Sequence, residues 1–255
     1  MKRALVAVAF AGLVFIALVG VRYRSTALVS PYDLANRSEA EVSDLGRPLG
    51  FATVKVGTLT ALIRRPASGH SWLLYWGGNT STYFTEALGT IAGFALPGEV
   101  GVLVVAPPGY DSEGHPSPAG LERDAVLARD WLRQQEGAEK IVTAGFSMGI
   151  YSALVAAEKD VLATVVMGNA AVFEASDPGR LIRLREPDQY RIHAAPPKVP
   201  ALVIQGELDE LAQGRQVAAW LGARLVVLPG VGHVETQKNP VALREASRFI
   251  QDALQ

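Results

Sequence analysis

From about residue 50 to the C-terminus, short apolar runs alternate with amphipathic stretches. Ala52–Gly57 and Leu59–Arg64 predict a pair of strands. Trp72–Trp76, Gly101–Ala106, Lys140–Ala144, Ala163–Gly168, Ala201–Gln205 and Arg224–Leu228 are rich in Val, Ile and Leu and predict buried strands. Between them, Leu121, Ala125, Ala128 and Leu132 recur at spacings of four and three, which places them on one helical face. Similar stretches run across Gly149–Glu158, Leu211–Leu221 and Pro240–Leu254. Near-continuous apolar strands alternating with helices predict an α/β domain with a mostly parallel sheet covered on both faces. Residues 25–49 are polar and patternless, with Pro31 and Pro48, and read as a linker ahead of that domain at 50–255. About 30 residues between Gly168 and Ala201 carry no strand pattern. They include Asp177-Pro178-Gly179, Arg180, Arg183, Arg185, Arg191, His193 and Pro196-Pro197. An insertion there, about 170–199, leaves the carboxyl edge of a parallel sheet, where ligands bind. It reads as a small lid, against the alternative of an ordinary surface connection.

The N-terminus has a different character. Ala4 to Val21 is an uncharged run of 18 residues between Lys2-Arg3 and Arg22-x-Arg24. As a helix it would span about 27 Å, close to the hydrocarbon core of a bilayer. Residues 1–24 therefore read as a single-span anchor or a cleaved signal segment, with a buried core helix as the third reading. The run exceeds the usual signal-peptide core, and the nearest small-residue cleavage pattern, Ser25-Thr26-Ala27, lies beyond two arginines. Either leading reading carries the body across a membrane. The expectation is an anchored body outside the cytoplasm, with a secreted or periplasmic form after cleavage as the alternative.

Composition narrows the chemistry. The chain has 255 residues with 24 Lys+Arg, 25 Asp+Glu and no Cys, which excludes disulfides, a cysteine nucleophile and thiolate metal sites. All four charges in the first 24 residues are basic, so the remainder has 20 basic and 25 acidic groups, a net of about −5. A mildly acidic body without a basic stripe argues against nucleic-acid binding.

Gly145-Phe146-Ser147-Met148-Gly149 comes directly after one predicted strand and opens a helix. A sharp strand-to-helix turn would project the Ser147 hydroxyl over the sheet edge. The positions two before and two after must then lack side chains so that strand and helix can approach. The helix N-terminus behind it offers backbone N–H groups to a developing oxyanion. The bland alternative is an ordinary glycine-rich turn.

This serine turn, together with the order of the motifs C-terminal to it, resembles the α/β-hydrolase superfamily over nearly all of 50–255. In that family the order is nucleophile, acid, histidine. Ala201-Leu202-Val203-Ile204-Gln205-Gly206-Glu207-Leu208-Asp209 looks like its late strand and then G-x-x-D. Arg224–Leu228 with Pro229-Gly230-Val231-Gly232-His233 looks like its final strand and histidine loop. More narrowly, Trp76-Gly77-Gly78-Asn79 resembles the H-G-N turn of small serine hydrolases, with Gly77 where that turn usually has histidine. Pro108-Gly109-Tyr110-Asp111-Ser112-Glu113-Gly114 is similar to their R-G-Y-G-x-S-x-G loop, and Asp130-Trp131-Leu132 to the helix after it. That branch includes single-span anchored members, which fits the N-terminus. The resemblance implies an α/β-hydrolase fold, a Ser147–His233–Asp209 triad and an oxyanion hole from the backbone N–H groups of Met148 and Asn79 or Thr80. Gly78, Thr80 and His193 are the accompanying candidates for substrate contact. No metal or organic cofactor is implied.

The residues themselves support part of this assignment. A serine hydroxyl needs a base in hydrogen-bond reach, and imidazole, with an ordinary pKa of about 6.5, suits the task. Of the four histidines, His70 and His115 lie in turn-like surface loops and His193 in the insertion, whereas His233 ends a strand in a glycine-rich loop. Asp209 has Glu207 and Glu210 as rivals for the acid, and Asp111 and Glu235 read as structural or solvent-facing. The leading expectation is a serine hydrolase acting on small-molecule carboxylic esters, with an acyl chain or lipid-like ester favoured by the apolar surroundings. Peptidase, thioesterase and acyltransferase chemistry would use the same triad. The competing class is an anchored binding or scaffold protein without catalysis.

Overall fold

A computed structural model of the chain describes residues 37–112, 114, 117–168, 196–209 and 214–255. The apolar run 4–21, the first part of the expected linker and nearly all of the expected lid, with His193, lie outside the described residues, as do His115 and Glu210. Among the described residues no helix is long and apolar enough to cross a membrane.

Eight strands form one sheet: β1 Ala52–Val56, β2 Leu59–Arg64, β3 Ser71–Trp76, β4 Val100–Val105, β5 Lys140–Phe146, β6 Ala163–Met167, β7 Ala201–Gly206 and β8 Arg224–Leu228. Their spatial order is β1-β2-β4-β3-β5-β6-β7-β8. β1 pairs with β2 and β2 with β4 in antiparallel fashion, while every other pair is parallel. β3 lies between β4 and β5, so the connection after β3 runs toward β4 while that after β5 runs toward β6, in opposite directions along the sheet. The loops beyond the carboxyl ends of β3 and β5 therefore border a crevice, the ordinary place for a ligand in an open α/β sheet. The fold is thus the α/β sheet expected from the pattern of apolar runs.

The helices divide between the two faces. One face holds α1 Glu39–Gly46, α2 Tyr83–Phe94 and α7 Pro240–Leu254, which bury Val42, Ala87, Leu88, Ile91, Ala246 and Ile250 against Leu73, Tyr75 and Val104. The other holds α3 Pro118–Gln135, α4 Gly149–Ala156 and α5 Gly214–Leu221 against Trp72, Leu74 and Trp76. Leu121, Ala125, Ala128 and Leu132 of α3 are all buried, as their spacing predicts. A further turn, α6, runs His233–Thr236. Edge strands β1 and β8 are half-exposed and carry Lys55 and Arg224, charges that discourage pairing with another sheet.

The chain between 38 and 49 departs from the patternless linker. Ser38 and Glu41 form a reciprocal capping box at the start of α1. Val42 is fully buried, and its helix packs on β1. Two turns with one buried valine carry too little periodicity to stand out in sequence. Val42→Ala should lower the free energy of unfolding by about 2 kcal/mol in a denaturant titration, whereas a linker position would show no measurable change. Behind α1, Asp111 is buried with φ +58°, and its Oδ1 accepts the Arg37 N–H at 3.0 Å. Burial pushes the Asp111 carboxyl above the usual carboxylate range, opposed by that N–H.

Candidate active site

β5 ends at Phe146 and α4 begins at Gly149, so only Ser147 and Met148 make the turn. Ser147 has φ +52°, an uncommon value for a residue with a side chain. The conformation is held by its N–H donating to the Met167 carbonyl at 3.0 Å and its own carbonyl accepting from Ile150 N–H at 3.2 Å. The flanking glycines are sterically required. A Cβ on Gly145 would lie 2.5 Å from the Gly149 carbonyl oxygen, and one on Gly149 would lie 2.3 Å from the Trp76 carbonyl oxygen.

His233 reaches Ser147 from the loop after β8. Its Nε2 is 2.8 Å from Ser147 Oγ, and its Nδ1 is 2.8 Å from Asp209 Oδ2. The Asp209 side chain is fully buried and the His233 side chain is 18% exposed, so the carboxylate is shielded while the imidazole stays accessible. The Phe146 ring packs against the imidazole at 5.2 Å between centroids.

The loops that carry Asp209 and His233 are tied to each other. Leu208 N–H donates to Val231 O at 2.9 Å, and Gly230 N–H donates to Glu207 Oε2 at 2.9 Å. Gly206 allows the approach, since a Cβ there would stand 2.2 Å from the Val231 carbonyl oxygen. Beyond His233, Gln237 and Lys238 both donate to the Glu86 carboxylate on α2, at 3.1 and 3.2 Å. The segment after His233 is thereby anchored to α2.

The structure thus brings Ser147, His233 and Asp209 into one hydrogen-bonded line. Glu207, a rival acid, is exposed and occupied with Gly230. Glu235 is exposed, and His70 is exposed just before β3, at the amino end of the sheet and away from Ser147. Gly78 abuts the serine: a Cβ on it would lie 3.2 Å from Ser147 Cβ. Asn79, the next residue, accepts the Tyr110 O–H on its Oδ1 at 2.6 Å, with Met148 Sδ 3.9 Å from the same hydroxyl. Thr80 is half-buried, its hydroxyl 3.1 Å from that of Thr82. At Gly77 the space beside the backbone is filled by the Tyr83 ring. Tyr83, Glu86, Gln237 and Lys238 carry no signal in the sequence, because their partners are backbone atoms or residues distant in the chain.

No protein-family model and no curated protein sequence matches the chain. Solved structures do. An esterase from Pyrococcus furiosus superimposes with a TM-score of 0.66 and 17% identity, covering 89% of this chain and 99% of the other. An esterase from Pyrobaculum calidifontis gives 0.61 and 20%, covering 85% and 91%. An alpha-beta serine hydrolase homologue from Coxiella burnetii gives 0.58 and 19%, covering 80% and 97%. Likeness at these identities is one of fold, and together with the order of strands in the sheet it establishes that this chain has the α/β-hydrolase fold.

Proposed function

We propose that this chain is a serine hydrolase that cleaves carboxylic esters through an acyl-enzyme. The observation that carries the reading is the continuous line from Ser147 Oγ through the His233 imidazole to Asp209 Oδ2, with 2.8 Å at each contact. Ser147 Oγ attacks the acyl carbonyl as His233 Nε2 takes its proton. Asp209 holds the proton on Nδ1, fixes the tautomer and stabilises the imidazolium. The tetrahedral oxyanion is received by the backbone N–H groups of Met148 and Asn79. Collapse expels the alcohol, which takes the proton from Nε2. Water, deprotonated by the same nitrogen, then attacks the acyl carbon; a second collapse releases the acid and returns the proton to Ser147.

Two exposed apolar side chains adjacent in sequence to triad residues support the choice of an apolar acyl group. Leu208 is 62% exposed beside Asp209, and Val234 is 53% exposed beside His233. The esterases of Pyrococcus furiosus and Pyrobaculum calidifontis, which share the fold, support ester chemistry by analogy. The N-terminal run 4–21 serves as a single-span anchor that holds the domain at the outer side of the membrane.

A fluorescent fluorophosphonate and a series of short- to medium-chain p-nitrophenyl esters test the reading on the full chain. Labelling and turnover that both vanish in Ser147→Ala are expected, with longer acyl chains favoured over acetate. A folded protein that neither labels nor turns over any ester sinks the hydrolase reading.

A further inference from the structure

The loop after β3 is gripped by two tyrosines that the reaction itself does not use. Tyr83, fully buried in the first turn of α2, accepts the Gly77 N–H on its phenol oxygen at 2.8 Å. The same O–H donates to the Val105 carbonyl at 2.6 Å. β3 and β4 pair in parallel from Ser71–Val100 to Tyr75–Val104. Just beyond the last pair, the phenol oxygen stands between the strands as an additional rung. Desolvation pushes this phenol well above its ordinary pKa, so it keeps the proton it donates.

The grip reaches the serine within one residue. A Cβ on Gly77 would meet the Tyr83 ring at 3.1 Å, closer than ordinary packing, so the ring fills the space beside this backbone. Gly78 then abuts Ser147 Cβ, and Asn79 Oδ1 is held by Tyr110, whose ring lies 5.6 Å from that of Tyr83. Two successive glycines are the most conformationally free backbone a chain can place at a donor site, and fixing them needs outside contacts.

We propose that Tyr83 is a positioning residue for the oxyanion loop: its phenol fixes Gly77 so that the Asn79 N–H is aimed at the acyl oxygen over Ser147. The inference rests on the esterase reading of this site. Tyr83→Phe keeps the ring and removes the hydroxyl, leaving a buried N–H without a partner. It should lower kcat and the fluorophosphonate labelling rate about ten- to hundredfold, with KM changed by less than about threefold. The pH profile should keep its midpoint, because the base is untouched. Amide hydrogen exchange measured by mass spectrometry should accelerate in the peptide spanning 77–80 and remain unchanged in α7. Gly77→Ala, which presses a methyl group on the Tyr83 ring while leaving the hydroxyl, should shift the same readouts and serves if Tyr83→Phe does not fold. Wild-type kcat with wild-type exchange at 77–80 in a folded variant overturns the proposal. So does exchange that accelerates across the whole domain with kcat and KM moving together, the mark of a structural role. An inert wild-type protein overturns the esterase reading and Tyr83's part in catalysis, while the exchange arm still decides whether the phenol holds the loop.

Discussion

Ser147→Ala and His233→Ala are each expected to lower kcat for p-nitrophenyl esters by a factor on the order of 10⁴ to 10⁶, and the double variant to lose no more than either alone. The reason is geometric. Ser147 Oγ and His233 Nε2 lie 2.8 Å apart, and in the proposed mechanism they act as one proton-transfer unit, so removing either partner would disable the same step. Steady-state kinetics of the four proteins measures this non-additivity. Single variants whose losses multiply in the double would show that two independent contributions, and not one catalytic unit, sit at this position. Circular dichroism should remain native in all of them, because both side chains are partly exposed.

Gly149→Ala is expected to have the largest effect on folding. The added methyl would stand 2.3 Å from the Trp76 carbonyl oxygen and 2.5 Å from that of Gly77. Both are backbone atoms, so no rotamer change makes room; either the elbow or the end of β3 must move. Overpacking of this kind should cost at least about 3 kcal/mol, read as a fall in the denaturation midpoint. Because the displaced atoms belong to the Ser147 turn and the end of β3, surviving folded protein should, on the proposed mechanism, also fail to label. Gly89→Ala is the matched control: it lies within α2 with open space where a Cβ would go, and should be neutral or slightly stabilising. Equal stability of the two variants would show that the close approach at Gly149 is not structurally required.

The elements legible in sequence are those with enough residues to express a period. The apolar runs coincide with strands to within one or two residues, and the face of α3 is the one its spacing marks. α1 and α2 were not legible. The first has two turns and one fully buried aliphatic side chain. The second contains Gly89 and Gly93, which weaken a helical pattern; at Gly93 the Leu243 side chain of α7 packs into the space that a Cβ would take. That contact belongs to the packing of two helices about 150 residues apart in the chain.

Ser147 could be named from its glycine-flanked turn, and Asp209 and His233 from the family order that the chain resembles, because each lies in a loop after a strand, where a parallel sheet collects its loops. What brings them to hydrogen-bond distance is not local. It requires the side-by-side pairing of β5, β6, β7 and β8, the contact of the Asp209 and His233 loops through Leu208 and Val231, and the absence of a side chain at Gly206. The grip of Tyr83 on Gly77 is of the same kind, since a hydroxyl between two backbone atoms leaves no periodicity and no spacing to read. Local preferences, hydrophobic period and glycine placement are properties of neighbouring residues; by themselves they determined the fold class and marked the Ser147 turn, whereas Asp209 and the oxyanion donors were named through the resemblance to a family. Distances between atoms far apart in the chain depend on how strands register and helices pack, so only the tertiary structure decided which of those residues meet and which backbone groups hold them in place.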